Sequence, residues 1–244
     1  MTPVHPGELL AAMYDWHNAH LLRRQTEDVA FWLRAFGSGQ TVAVLGAGTG
    51  RVAIPLGQAG IEITAVDRDL ARLRRIPGDA TRVVCACFER LPFRGHFDHI
   101  VFPYSSLQLF PTADLVGPLR DTASLLKNGS RIWVDVSDNF AKRTERDWSV
   151  VLEAYCADIG DTVIEFERGT LHSDHFQIDL RYVVGAVIVA QTTERWYFHS
   201  DSDLRLAFAE ASLLVRKVLH GYGSPNTTHR RIYELSKIDD RIQS

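Results

Sequence analysis

The run Val42-Ala43-Val44-Leu45-Gly46-Ala47-Gly48-Thr49-Gly50-Arg51 is the part of the chain best suited to hold a ligand. An apolar, β-branched segment runs into three glycines at alternate positions, then into a predicted helix from Arg51 to Ala59. Glycines accept φ > 0 and let a ligand approach the backbone with no Cβ in the way. The helix start adds free N–H groups and a positive dipole end. Such a turn suits a polar or anionic group at the carboxyl end of the first strand of an open α/β sheet. Asp67 closes the next predicted strand, Ile61 to Val66. A carboxylate there, about 20 residues after the glycines, can accept hydrogen bonds from both hydroxyls of a ribose. Asp69 is placed to cap the helix that follows, which leaves Asp67 for the ligand.

The elements that must position these residues follow from periodicity. Gly7 to Phe36 is helical in pattern, and Gly37-Ser38-Gly39 ends it. Strands are predicted at Thr41–Leu45, Ile61–Val66, Thr81–Ala86, Phe97–Phe102 and Ser130–Val136. Helices are predicted at Arg51–Ala59, with Gly60 as its C-terminal glycine, at Leu70–Arg75, and at Leu115–Leu126, stopped by Asn128-Gly129. Strands alternating with helices imply an α/β fold whose mostly parallel sheet carries helices on both faces. The last third reads as longer antiparallel strands at Val163–Glu167, Phe176–Val189 and Thr192–Phe198. A helix at Ser202–Ala211 and strands at Val215–Leu219 and Arg231–Leu235 follow. Val183 to Ala190 reads as a buried strand.

Composition narrows the class. Hydrophobic residues make up 45% of the 244 residues and charged residues 23%, enough for a sizeable core. The net charge is -3, and a basic patch large enough for nucleic acid is not expected. The three cysteines, Cys85, Cys87 and Cys156, have neither the number nor the spacing of a disulfide framework or a zinc site, and read as reduced thiols of a cytoplasmic protein. No metal is expected: His172, Asp174 and His175 lie together but lack a third element to complete a shell. No signal peptide is read at the start, and no apolar run approaches the ~18 residues of a membrane span.

A dinucleotide turn has the spacing G-x-G-x-x-G; this one is G-x-G-x-G followed by Arg51-Val52. Gly46 to Leu56, Ala59-Gly60 and Thr64-Ala65-Val66-Asp67 closely resemble class I S-adenosylmethionine-dependent methyltransferases. The likeness continues in Arg90-Leu91-Pro92-Phe93 before Phe97-Asp98, and in Leu125-Leu126-Lys127-Asn128-Gly129-Ser130. Tyr104-Ser105-Ser106-Leu107 is similar to the segment after the fourth strand of glycine and amino-sugar N-methyltransferases, and Glu194-Arg195-Trp196-Tyr197-Phe198 to the end of their extra antiparallel strands. The resemblance implies a Rossmann-like, mostly parallel seven-stranded sheet with an added antiparallel sub-structure and N-terminal lid helices. It implies a single domain, 1–244: lid helices at 1–38, a cofactor-binding core at 39–137, substrate-covering strands at 138–199, and the end of the core sheet at 200–244.

It also implies roles. Gly46, Ala47 and Gly48 would line the methionine part of S-adenosylmethionine, Gly50 would allow close helix approach, and Asp67 would hold the ribose. Arg68, Cys87, Phe88 and Glu89 would flank the adenine, Pro103 and Ser106 would meet the methionine end, and Tyr14 would close over the cofactor. The chain departs from the family pattern at Val44 and Cys87, where acidic residues are usual. Methyl transfer to a nitrogen or oxygen of a small metabolite is the expected reaction, and it asks little of side chains beyond positioning and proton removal. The candidates for that chemistry are Tyr14, His17, His175 and His199; Leu109 stands where the amino-sugar enzymes often carry a histidine. Trp16, Tyr104, Trp148, Tyr155, Trp196 and Tyr197 are candidates for an aromatic substrate pocket. A cofactor-binding relative without transfer activity and an NAD(P)-dependent oxidoreductase are the alternative readings. A small-molecule substrate, no nucleic acid and no membrane are the expected partners, with a homodimer left open.

Overall fold

The computed structural model describes residues 6–22, 26–78 and 81–238. In chain order its helices are α1 (Pro6–Leu21), α2 (Glu27–Ala35), α3 (Ala53–Gln58), α4 (Leu70–Leu73), α5 (Val116–Ser124) and α6 (Asp201–Glu210). Its strands are β1 (Thr41–Leu45), β2 (Glu62–Asp67), β3 (Thr81–Cys85), β4 (Phe97–Phe102), β5 (Leu126–Ser137), β6 (Arg146–Cys156), β7 (Asp161–Leu171), β8 (His175–Val184), β9 (Val187–Tyr197), β10 (Leu213–His220) and β11 (Arg230–Lys237). They divide into two compact units. One comprises the residues up to Thr26 with Asn139–Tyr197, the other Glu27–Asp138 with the chain from Phe198 onward. Among the described residues no helix is long and apolar enough to cross a membrane.

The larger unit is a seven-stranded sheet in the order β10-β11-β5-β4-β1-β2-β3. β1 pairs in parallel with β2 and β4, β2 with β3, and β4 with β5, while β11 is antiparallel to both β5 and β10. Central strands buried on both faces read as continuous apolar runs, and Val42 to Leu45 are all buried. Side chains alternate between two cores. Ala43, Leu45, Ile100, Phe102, Ile132 and Val134 meet α5 and α6 through Leu119, Ala123, Leu204 and Phe208. Val42, Val44, Ile63, Ala65 and Val101 meet α2, α3 and α4 through Trp32, Ala53, Leu56 and Leu73. Helices therefore cover both faces, as the alternation of elements predicted.

The predicted helix Leu115–Leu126 ends early. Leu126 already pairs with Phe97 in the sheet, and the register between β4 and β5 then slips so that His99 faces Arg131. Asn128-Gly129, with Gly129 at φ 80°, is thus a bulge inside β5, which is where a glycine in a strand pattern belongs.

The smaller unit is a four-stranded antiparallel meander, β6-β7-β8-β9, with α1 against it. Two expectations fail here. The predicted strand Phe176–Val189 is broken by the two-residue turn Gly185-Ala186, where Gly185 takes φ 58°; a positive φ at the first loop position is what a tight hairpin needs. Val183–Ala190 is accordingly a hairpin tip, with Val187 63% and Ile188 51% exposed, and not a buried strand. β6 carries no clean apolar alternation and is held by its pairing with β7.

Candidate active site

At the carboxyl edge of the larger sheet β1 ends in the glycine turn and β2 ends in Asp67. Gly46, Gly48 and Gly50 take φ of 77°, 56° and 91°. A Cβ on Gly46 would stand 2.5 Å from the Cβ of Ser106, far inside van der Waals contact, so only glycine lets the segment after β4 lie on this turn. A Cβ on Gly50 would stand 2.8 Å from Ile54, so glycine here lets the helix start fold back closely. The N–H groups of Gly46 and Ala47 both donate to Val66 O at 2.9 Å. Gly48 N–H donates to Asp67 Oδ2 at 2.8 Å, and Asp69 N–H to Asp67 Oδ1 at 2.9 Å. Asp69 caps α4 by accepting from the N–H groups of Ala71 and Arg72, as its position suggested. The Asp67 carboxylate is aimed back into the glycine turn.

The neighbouring strand ends complete the crevice. Ala86 N–H donates to Asp67 O at 3.0 Å, which sets the exit of β3 beside Asp67. Arg68, Cys87 and Glu89 are exposed, while Phe88 is buried edge-on against Phe102 and Phe110, so Phe88 offers a ligand its backbone alone. After β4, the buried Pro103 accepts from Ser106 N–H at 3.0 Å, and Ser106 Oγ donates to Leu45 O at 3.0 Å. The structure thus gathers Gly46, Gly48, Asp67 and Ser106 at one place. A cavity of about 790 Å³ opens at the opposite, amino edge, between Thr41, Glu62, Arg82 and His96. Open α/β sheets bind their ligands at the carboxyl edge, so that cavity is not the candidate site.

Beneath the crevice lies a polar cluster that sequence reasoning did not find. Asp135, fully buried in β5, accepts from Tyr104 N–H at 2.8 Å, from Arg230 Nε at 2.7 Å and from the Tyr222 hydroxyl. Arg230 also donates to Ser105 Oγ at 2.8 Å. Asp135 is an ion-pair partner of Arg230, and Asp138 of Arg231. The available signal was a single carboxylate inside the apolar run Ile132-Trp133-Val134-Asp135-Val136, because a buried charge must find partners. Burial raises the Tyr222 phenol well above its ordinary value, with Asp135 adding to the rise.

Of the residues expected to do chemistry, Tyr14, His17 and His175 fall in the smaller unit and His199 in the larger. Tyr14 is half-buried on α1. His17 Nδ1 lies 2.9 Å from both oxygens of Glu165. His175 Nδ1 lies 2.7 Å from Asp174 and its ring stacks on His172. His199 is buried with Nδ1 2.7 Å from Thr112 Oγ1. Burial pushes its pKa down to about 4, against carbonyls of Leu107 and Phe110 that favour the proton, with Arg231 adding to the fall; the ring is neutral at pH 7. Of the six aromatic candidates Tyr104 belongs to the larger unit and the other five to the smaller. In the smaller one Trp148 lies under Arg181 and Arg168, on the sheet face opposite Glu165, while Trp196 stacks on Phe140.

Residues 42–129 match the family model described as a methyltransferase domain. No curated protein matches the chain. Solved structures that resemble it include an S-adenosylmethionine-dependent methyltransferase from Clostridium acetobutylicum, with TM-score 0.76 and 14% identity over 93% of this chain and 98% of that one. The sugar N-methyltransferase KedS8 from Streptoalloteichus superposes with TM-score 0.70 and 16% identity, covering 86% of this chain and 85% of that one. CalS10, an amino pentose methyltransferase from Micromonospora echinaspora solved with S-adenosylmethionine bound, gives TM-score 0.62 and 15% identity over 88% and 90% of the two chains.

Proposed function

We propose that this chain, whose residues 42–129 match a methyltransferase domain and whose fold is shared with S-adenosylmethionine-dependent methyltransferases, is itself such an enzyme and methylates a nitrogen of a small, amine-bearing metabolite. The observation that carries the reading is the Gly48 N–H to Asp67 bond at 2.8 Å. It sets the Asp67 carboxylate directly beside a turn whose Gly46 could carry no side chain.

The residues present fit the cofactor. We assign Asp67 to its ribose, Arg68, Cys87, Glu89 and the Phe88 backbone to its adenine, and Gly46, Ala47, Gly48, Pro103 and Ser106 to its methionine end. When bound, S-adenosylmethionine supplies a methyl group already activated on a sulfonium. The protein's share is then to orient the acceptor, exclude water and take a proton. Nitrogen is preferred as acceptor because KedS8 is a sugar N-methyltransferase and CalS10 an amino pentose methyltransferase. The catalytic base is left among Tyr14, His17, His175 and His199; of these His17 has its Nδ1 held by a buried carboxylate.

Calorimetric titration with S-adenosylmethionine, followed by mass spectrometry of an aminohexose, an amino acid, an arylethylamine and a phenol incubated with enzyme and cofactor, tests the proposal. Cofactor binding with a methyl gain on an amine is the expected result. Absence of binding at millimolar cofactor removes the reading altogether, and a gain on the phenol alone moves the acceptor to oxygen.

A further inference from the structure

Tyr104 and Ser105 are two consecutive non-glycine residues at φ 47° and 67°. L-residues avoid this left-handed region, and a pair of them persists only where the surroundings over-determine the backbone. Within the turn Ser106 N–H donates to Pro103 O at 3.0 Å. Further holds come from distant parts of the chain. Tyr104 N–H donates to Asp135 Oδ2 at 2.8 Å and Ser105 N–H to Asp135 O at 3.0 Å. Arg230, on β11, reaches Ser105 Oγ at 2.8 Å while its Nε holds the same Asp135 at 2.7 Å. The Tyr104 ring lies between two guanidiniums, with Arg51 4.3 Å and Arg230 4.6 Å from its centroid, a geometry that is attractive to a π face. Arg51 directly follows the last glycine of the turn and is itself paired with the buried Asp28 of α2. The strained turn is therefore braced both from the sheet and from the glycine turn.

The residue delivered by this arrangement is Ser106, which presses on Gly46 and bonds Leu45 O. We infer that Arg230 and Asp135 are positioning residues for cofactor binding: they lock Tyr104 and Ser105 in the left-handed turn that sets Ser106 against Gly46, and so shape the seat of the methionine end alone. This rests on the placement of the cofactor proposed above. The adenosine end is seated by Asp67, which takes its bonds from Gly48 and Asp69 and none from this cluster.

The consequence is a selective defect, which a merely structural role would not give. Calorimetry on the full chain would compare S-adenosylmethionine with 5′-methylthioadenosine, which keeps the nucleoside and lacks the amino-acid end. Arg230→Lys retains the charge and loses the two-point hold; Ser105→Gly suits the left-handed backbone and loses only the hydroxyl held by Arg230. In both variants affinity for S-adenosylmethionine should fall about ten-fold or more, while that for 5′-methylthioadenosine stays within about two-fold. Amide exchange at Ser106 should quicken in the ligand-free variants. Should Arg230→Lys fail to fold, Ser105→Gly decides. Equal weakening of both ligands, or of neither, overturns the inference and leaves the cofactor assignment standing. A wild-type chain that binds neither ligand overturns both together.

Discussion

His17 Nδ1 sits 2.9 Å from each oxygen of Glu165, a carboxylate with no solvent exposure. Burial alone would pull this imidazole down, but the Glu165 hydrogen bond and charge, with Glu194 and Glu167 behind it, outweigh burial and leave its pKa above the ordinary 6.5. The folded state therefore holds a proton that the unfolded chain releases. The pair's contribution to stability is full below the unfolded pKa and is lost as pH rises through the raised folded value. An NMR titration of the His17 ring should show the raised midpoint. In Glu165→Gln, where burial is no longer opposed by a charge at hydrogen-bond distance, the midpoint should drop. The variant should also lose about 1.5–3 kcal/mol in urea unfolding at pH 6, and less at pH 8. An unchanged His17 midpoint in Glu165→Gln sinks this account.

His199 should show the opposite sign. Its folded pKa of about 4 lies below the ordinary 6.5, so the unfolded chain binds the extra proton. The stabilising contribution is complete above the unfolded pKa and disappears as pH falls from there through the folded value. Wild-type stability between pH 7 and pH 4 should contain a slope from this ring that His199→Gln abolishes. The variant would still be able to donate to Thr112, the partner of Nδ1. Urea unfolding at pH 5 and pH 7 reads the difference, and a variant that keeps the full slope counts against it.

The amino edge offers an acid-stability test remote from the crevice. Asp98 Oδ2 accepts from Lys127 Nζ at 2.8 Å and from the Thr41 N–H and hydroxyl at 2.9 and 2.8 Å. The Lys127 bond, then the Thr41 backbone bond, pull its pKa down to about 2. Its contribution is present above the ordinary carboxylate value and is lost as pH falls through about 2. Because both partners are partly exposed, Lys127→Met should cost about 1 kcal/mol or less at neutral pH. It should also shift acid unfolding to higher pH, as followed by circular dichroism.

What could be read from the sequence was local. Gly46 to Gly50 and Asp67 are 17 or more residues apart in the chain, yet the strand–turn–helix pattern placed them together, because parallel neighbours β1 and β2 bring both carboxyl ends to one edge. Asp69 was correctly placed as a cap because capping depends only on adjacent residues. What the sequence hid was either non-local pairing or a backbone conformation. The role of Asp135 emerges only when β11, 95 residues away, supplies Arg230. Val183 to Ala190 looks like one apolar strand because a run of β-branched residues hides a turn carried by Gly185, whose φ no composition reveals. The left-handed Tyr104 and Ser105 are invisible to propensity, since the conformation is imposed by tertiary contacts.

The close approach of Gly46 and Ser106 permits the most specific test of the crevice. Alanine at Gly46 would have to adopt φ 77° and place its Cβ 2.5 Å from the Ser106 Cβ. Backbone strain and overlap should together cost about 1–3 kcal/mol of stability, and the turn should lose S-adenosylmethionine. The two costs can be separated. Ser106→Gly removes the overlapping atom and leaves the backbone penalty, so Gly46→Ala combined with Ser106→Gly should be more stable than Gly46→Ala alone, with a coupling energy of at least about 0.5 kcal/mol. Asp67→Ala and Gly48→Val should abolish cofactor binding by a different route, the first by removing the ribose acceptor and the second by filling the crevice, while both chains still fold. Paired urea melts and calorimetry on the five variants distinguish these cases. Additive stabilities for Gly46→Ala and Ser106→Gly would mean that the two segments are not in contact, and the methionine seat would have to be sought elsewhere along the strand edge.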